Sequence, residues 1–241
     1  MRIVAYTLAD DPFAGRTGKG VRVAVVDSGV SAGHPHVGDV AESVCVGAAA
    51  QASDKRDRLG HGTAVAAAIR EKAPGVALLS VKVFDRALTT TAETLAEAII
   101  LAADLDAVLI NLSLGTSNPG RADVLRAAIA HAASRRAVVV SALETAGTPW
   151  LPGSLSGVAG TLVDWECDRD ALEVRYDAAG APTFRASAYP RPIPGVPRER
   201  NLSGISFAVA NATGFLARLL EGNPEYELHF NSTDAQSESQ K

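Results

Sequence analysis

Three residues of the sequence, Asp27, His61 and Ser206, have the types and the settings that nucleophilic catalysis requires. Asp27 ends an apolar run, His61 stands between two glycines, and Ser206 precedes a run of small and apolar residues. Serine attacks a carbonyl carbon effectively only when a base removes its proton, and a buried carboxylate usually orients that base. The three residues therefore predict a catalytic triad in the chain order Asp, His, Ser.

Each residue also has a simpler structural interpretation. An aspartate at the end of a strand commonly caps a turn, a histidine between glycines commonly lies in a loop, and a serine at a helix start is a common N-cap. No single residue decides between these interpretations. The catalytic hypothesis is favoured because all three occur together, each next to an element that can hold it in place.

Apolar runs alternate with helical patterns along most of the chain. The predicted strands span residues 21–26, 76–84, 107–112 and 137–142, and the predicted helices span residues 62–72, 92–103, 121–134 and 207–220. This alternation predicts an α/β fold with a mostly parallel central sheet. In such sheets, ligands bind beyond the carboxyl ends of the strands. That rule points to Asp27 and to residues 111–115 and 141–145.

The pattern changes between residues 167 and 201. Segments 172–176 and 183–186 predict a hairpin around Ala179-Gly180, and the four prolines in residues 189–197 predict a loop. We find no interdomain linker, so residues 1–222 are predicted to form one domain. Residues 223–241 are polar and are predicted to form a disordered tail.

Composition excludes several classes of function. The 241 residues are 47% hydrophobic, with a net charge of −4 and no basic block, so nucleic acid is not an expected partner. No stretch is apolar enough to span a membrane, and the N-terminus does not resemble a secretory signal. We therefore expect a cytoplasmic protein without a membrane partner. Composition does not indicate its oligomeric state.

The candidate metal ligands have other interpretations. Cys45 lies in an apolar stretch and is interpreted as a small core residue, although a bridge to Cys167 remains open. Asp54 and Asp57 lie among basic residues, which is more typical of a solvated loop than of a metal site. No metal or cofactor is predicted.

The order Asp, His, Ser on an α/β fold resembles the subtilases, the subtilisin-like serine proteases. The resemblance is carried by five segments: residues 18–30, 60–63, 111–115, 138–142 and 204–208. It implies a subtilisin-like three-layer fold. It also implies that Asp27 orients His61, that His61 acts as general base and then general acid, and that Ser206 attacks the scissile carbonyl.

The resemblance also implies a substrate site. Ser113, Leu114 and Gly115 correspond to the strand that pairs with the substrate backbone, and Trp150 lies in the stretch used near the S1 pocket. The helix after His61 runs directly into the next strand, without the insertion that forms a calcium site in many secreted members. A peptide or protein substrate is thus the expected partner.

The sequence departs from the family pattern at the oxyanion position. Thr145 stands where the family has an asparagine, with Glu144 beside it, while Ile205 and Ala210 alter the serine motif. A threonine hydroxyl is shorter than an amide, and a glutamate donates a hydrogen bond only when it is protonated. Loss of one oxyanion donor costs about 10²–10³ in turnover, a figure from subtilisin itself.

These observations predict an intracellular endopeptidase with a dedicated processing role, such as leader-peptide removal in natural-product biosynthesis. The alternative is a weak or inactive pseudoprotease that binds peptides or partner proteins through the retained groove. A nucleotide-binding α/β protein is a poor third interpretation, because neither GxGxxG nor GxxxxGK[ST] follows the first predicted strand.

Overall fold

The structure is a computed structural model that describes residues 2–52 and 54–222. The predicted tail at residues 223–241 lies outside the described residues, and the domain division remains a prediction. The described strands are β1 (Arg2–Thr7), β2 (Arg22–Asp27), β3 (Glu42–Cys45), β4 (Ala77–Lys82), β5 (Leu109–Leu112), β6 (Val138–Ala142), β7 (Glu144–Thr145), β8 (Thr148–Pro149), β9 (Val158–Asp164), β10 (Ala171–Tyr176) and β11 (Pro182–Ser187). The described helices are α1 (Ala48–Ala52), α2 (His61–Lys72), α3 (Ala92–Asp104), α4 (Ala122–Ser134) and α5 (Ile205–Leu220).

Nine of the described strands form one sheet in the order β1-β10-β11-β9-β6-β5-β2-β4-β3. In this order, every pair of adjacent strands from β11 to β3 is parallel. The two antiparallel pairs, β1 with β10 and β10 with β11, lie at the other end of the sheet. Strands β7 and β8 form a separate hairpin. The carboxyl ends of the parallel strands therefore meet at one side of the sheet, as the sequence predicts.

Helices cover both faces of this sheet. Alternate residues of β2 belong to different cores: Val23 and Val25 pack in the core of α2 and α5, and Ala24 and Val26 pack in the core of α3 and α4. A strand that is buried on both faces needs a continuous apolar run, which is what β2 has. The predicted three-layer α/β fold with a mostly parallel sheet is confirmed.

The predicted hairpin is confirmed as β10 and β11, but several described strands, among them β9 and β1, have no counterpart in the sequence-based prediction. Strand β9 lies between β6 and β11 inside the sheet, and strand β1 pairs with β10 at its edge. Two glycines, Gly157 and Gly160, obscure β9, because glycine in an apolar run is typical of a turn. Gly160 fits closely there, since a Cβ would lie 3.0 Å from the carbonyl oxygen of Gly153.

Three further expectations concern single residues or segments. Cys45 and Cys167 are both free thiols, so the possible bridge between them is not formed. Both side chains are half-buried rather than in the core. Within residues 2–52 and 54–222, no helix has the length and apolar character needed to cross a membrane.

Candidate active site

Asp27 occupies the carboxyl end of the central strand β2. Its side chain is fully buried, and both carboxylate oxygens lie close to His61 Nδ1, Oδ1 at 2.8 Å and Oδ2 at 2.9 Å. The backbone N–H of Ser28 donates to Oδ1 at 2.7 Å. A buried carboxylate needs such partners, because an unpaired buried charge is costly. The backbone of β2, the Ser28 amide and the His61 imidazole together hold the Asp27 side chain in one orientation.

His61 is the first residue of α2, which packs closely against the end of β2. A Cβ built on Gly62 would lie 2.2 Å from the Gly29 carbonyl oxygen, so only glycine permits this approach. Burial by itself lowers the pKa of His61. The hydrogen bond and charge of Asp27, with the nearby charge of Asp57, outweigh burial and raise the pKa above its ordinary value of 6.5.

Ser206 lies in the first turn of α5 and contacts the end of β5. Its hydroxyl donates to the Ser113 carbonyl at 3.2 Å, and the Ser113 hydroxyl donates to the Ser206 carbonyl at 3.2 Å. The next residue, Phe207, has its ring centroid 5.9 Å from that of His61. In the described part of the chain, no hydrogen bond joins Ser206 to His61. The fold thus packs the residue after Ser206 near His61, and the Ser206 hydroxyl is turned toward the end of β5.

Asp57, predicted to lie in a solvated loop, joins the end of β2 to the start of α2. Its carboxylate accepts five hydrogen bonds: from the Ser28 hydroxyl, from the amides of Leu59, Gly60 and Thr63, and from the Thr63 hydroxyl. Burial raises the pKa of Asp57, but these donors outweigh it and hold the pKa below its usual range. The solvated-loop interpretation suits Asp54, which pairs with exposed arginines, but it was wrong for Asp57.

Ser28 and Lys82 also stabilise the junction between the end of β2 and the start of α2. The Ser28 hydroxyl accepts from the Gly62 amide at 3.0 Å, so it links the residues that follow Asp27 and His61. Lys82, fully buried on β4, donates to the carbonyl oxygens of Ser28 at 3.0 Å and Arg56 at 2.7 Å. The sequence contained one signal for Asp57, an acid four residues before His61 at a helix N-terminus.

Glu144 and Thr145 form strand β7 of the small hairpin. Both are exposed, and the chain turns after them through Ala146 and Gly147, whose φ angles are 51° and 77°. Such angles are typical of a two-residue hairpin turn. Among the described residues, neither side chain forms a hydrogen bond with Ser206. The structure therefore exposes the predicted oxyanion residues at the carboxyl side of β6.

Trp150 and Leu151 cover one edge of the strand that continues from β5. Thr116 and Leu151 form an antiparallel bridge, with N···O distances of 2.9 and 2.8 Å. A Cβ built on Gly115 would lie 2.5 Å from Trp150 Cδ1 and 2.1 Å from the Leu151 carbonyl oxygen. Trp150 is thus packed directly against Gly115 at this edge of the strand.

The described residues contain no group of three or more histidine, cysteine, aspartate or glutamate side chains placed to hold a metal ion. The basic residues around Asp54 and the donors around Asp57 satisfy those carboxylates directly.

Comparison with known proteins places the chain in a family. A model of the subtilase family matches residues 18–145, more than half of the chain, and this range includes Asp27, His61 and Ser113. Thermitase of Thermoactinomyces vulgaris is 31% identical over 223 residues, covering 83% of this chain and 76% of thermitase.

Solved structures share the fold. A lanthipeptide protease superposes with a TM-score of 0.62 at 18% identity, covering 90% of this chain and 79% of that one. The prenylagaramide maturation protease PagA superposes with a TM-score of 0.59 at 25% identity, covering 83% of this chain and 75% of that one. The family model, the related sequences and the shared fold agree. The chain belongs to the subtilase family and is a serine endopeptidase of the subtilisin type.

Proposed function

We propose that Asp27, His61 and Ser206 are the catalytic triad of this endopeptidase. One observation carries the proposal: a fully buried Asp27 has both carboxylate oxygens within 2.9 Å of His61 Nδ1. This pair lies at the carboxyl end of β2, and Ser206 lies in the first turn of α5 beside the end of the neighbouring strand β5. An aspartate that binds Nδ1 fixes the imidazole tautomer that leaves Nε2 free to accept a proton.

The reaction then follows from these positions. The Ser206 hydroxyl turns from the Ser113 carbonyl toward His61, since catalytic hydrogen bonds often form only with substrate bound. His61 takes the hydroxyl proton as Oγ bonds to the scissile carbonyl carbon, and then gives it to the leaving amine as the C–N bond breaks. Water then attacks the acyl carbon as His61 takes its proton, and His61 returns that proton to Ser206 Oγ as the C–Oγ bond breaks and the acid is released.

Negative charge develops on the carbonyl oxygen during both steps. The backbone N–H of Ser206 lies at the N-terminus of α5, where the helix dipole favours negative charge. We assign the second donor to Thr145, with Glu144 as its neighbour, as the resemblance implies. Their exposed position on the β7–β8 hairpin leaves both side chains free to contact a substrate.

The substrate is proposed to lie along Ser113, Leu114 and Gly115 as an added strand. The hydrogen bonds between Ser113 and Ser206 hold this segment beside the nucleophile. Trp150 then limits the side chain that fits before the scissile bond, because its indole fills the space against Gly115.

A dedicated processing role is the proposed use of this site. Proteins of similar fold include a lanthipeptide protease and a prenylagaramide maturation protease. A restricted substrate site suits a processing enzyme better than a digestive one, because a filled pocket rejects most side chains. The cytoplasmic location remains a prediction from the sequence.

Labelling with a fluorophosphonate tests the triad. The wild-type chain is expected to be labelled and to cleave members of a peptide library, and Ser206→Ala is expected to do neither. Ser203→Ala, in the same loop but exposed, is the matched control and should retain both properties. Labelling that persists in Ser206→Ala would reject Ser206 as the nucleophile. Peptide binding without labelling or cleavage of wild type would favour the pseudoprotease.

The pH dependence of the reaction should reflect His61. A protonated imidazole cannot accept the Ser206 proton, and the raised pKa keeps His61 protonated to a higher pH than usual. We therefore expect kcat/KM to rise with pH and to reach half its plateau above pH 6.5. A pH–rate profile on one peptide substrate measures this, and a plateau already complete below pH 6.5 would contradict the expectation.

A further inference from the structure

A second concave surface adjoins the candidate triad. It is a groove of about 620 Å³ between the first turns of α2, residues 34–36, and the proline-rich segment of residues 189–202. Thr63 and Ala64, on the same helix as His61, form part of its floor. Its volume is within the usual range for a binding pocket. We call this surface the basic groove.

The walls of the basic groove are apolar and open to solvent. Ile193 and Leu202, which line it, are 45% and 48% exposed. Pro35, Pro190 and Pro194 add rigid apolar surface. Exposed apolar side chains that line one concavity mark a surface suited to an apolar partner group.

All ionisable side chains that line the groove are basic, namely His34, His36, Arg191 and Arg200. Burial lowers the pKa of His36, and the positive charges of Arg191 and His34 lower it further, while Glu71 opposes them. Glu71 is already engaged, because it forms ion pairs with Lys72 and Arg169. The lowered pKa leaves His36 neutral at physiological pH, so the positive charge of the groove comes from Arg191 and Arg200.

Hydrogen bonds from two asparagine side chains hold the proline-rich wall of the groove in place. The buried Asn211 side chain of α5 donates to the carbonyl oxygens of Ser187 at 3.0 Å and Tyr189 at 3.1 Å. The Asn201 side chain donates to the Arg191 carbonyl at 3.3 Å across the segment. A wall that is ordered before binding loses less entropy when a ligand is bound.

We propose that the basic groove binds a recognition segment of the peptide substrate, in which an apolar side chain is flanked by carboxylates. This proposal rests on the proposed function, since the groove shares α2 with His61 and ends at Leu202, four residues before Ser206. It shares no lining residue with the Ser113–Gly115 edge. A substrate that occupies both surfaces is selected for its sequence at a distance from the bond that is cut.

Fluorescence anisotropy with three peptides tests the charge requirement. The protein is the full-length Ser206→Ala variant, which leaves the peptides intact. The probe is a fluorescein-labelled decapeptide with a central leucine flanked by glutamates, and two versions replace every glutamate with glutamine or lysine. At physiological salt, we expect the glutamate version to bind about tenfold more tightly than the glutamine version and the lysine version not to bind.

A charge-reversal variant tests the location. Arg191→Glu with Arg200→Glu, made in the same background, is expected to reverse the preference, so that the lysine peptide binds and the glutamate peptide does not. A gain of lysine binding cannot come from unfolding. Arg126→Glu on α4, with Arg135→Glu just after its end, makes the same charge change in the opposite layer of the fold and should keep the original preference.

Three outcomes would overturn the proposal: equal affinity for the three peptides, reversal by the α4 control as well, or a protein dimer in sedimentation that the groove variant disrupts. A dimer that the groove variant disrupts would mean that the basic groove binds a second copy of this chain. The result is separable from the triad test. Equal peptide affinities with normal labelling of the wild type would reject only the groove, and absent labelling would reject only the triad.

Discussion

An Asp27→Asn variant is expected to cleave peptides with kcat lowered by about four orders of magnitude, the loss seen when a triad aspartate becomes an amide. The Ser28 amide donates to Oδ1, so this oxygen must remain an acceptor in the variant. The new NH₂ group then occupies the Oδ2 position, 2.9 Å from His61 Nδ1. It donates to Nδ1, and the imidazole proton is left on Nε2, where the imidazole cannot take the Ser206 proton.

Steady-state kinetics on one peptide substrate measures this loss, and circular dichroism verifies that the variant is folded. Asp104→Asn is the matched control, because Asp104 forms a comparable pair with His131 Nε2 at 2.9 Å on the surface of α3 and α4. That variant should retain normal kcat. A loss of less than tenfold in Asp27→Asn would mean that Asp27 does not set the tautomer of His61.

Local sequence patterns were sufficient to predict the main elements and the triad candidates. The apolar run of β2 is uninterrupted and ends at Asp27. This short segment is therefore enough to predict that the carboxylate is buried and lies at the end of a strand. His61 and Ser206 likewise stand at the starts of helices whose patterns are clear. In each case, the element and the residue it positions are neighbours in the chain.

Features that depend on distant contacts could not be predicted in this way. Asp57 appears in the sequence as one acid in a basic loop, and its importance comes from Ser28 on another element. Strand β9 is identified by its neighbours β6 and β11 and not by its own glycine-containing run. The basic groove combines three segments that are separated by up to about 170 positions, and nothing local to any of them indicates that they meet. Tertiary contacts, rather than propensity, decide these features.

Trp150, which packs against Gly115, is the residue proposed to set the size of the substrate side chain before the scissile bond. A Trp150→Ala variant is expected to raise kcat/KM about 100-fold for a peptide with phenylalanine at that position. Removal of the indole opens the space against Gly115, where the present contact leaves less than van der Waals distance for even one added carbon. Wild type should instead prefer glycine or alanine there.

Paired peptides that differ only in alanine or phenylalanine before the cleaved bond measure the preference. Trp165→Ala, which removes an exposed tryptophan packed on Tyr189, is the matched control and should leave the ratio unchanged. If Trp150→Ala still rejects phenylalanine, the bridge between Thr116 and Leu151 must close the site by itself, because it is the remaining contact across this edge of the strand. If the ratio of kcat/KM for the phenylalanine and alanine peptides rises as expected, the contact of Trp150 with Gly115 explains why the wild-type enzyme accepts only small side chains before the scissile bond.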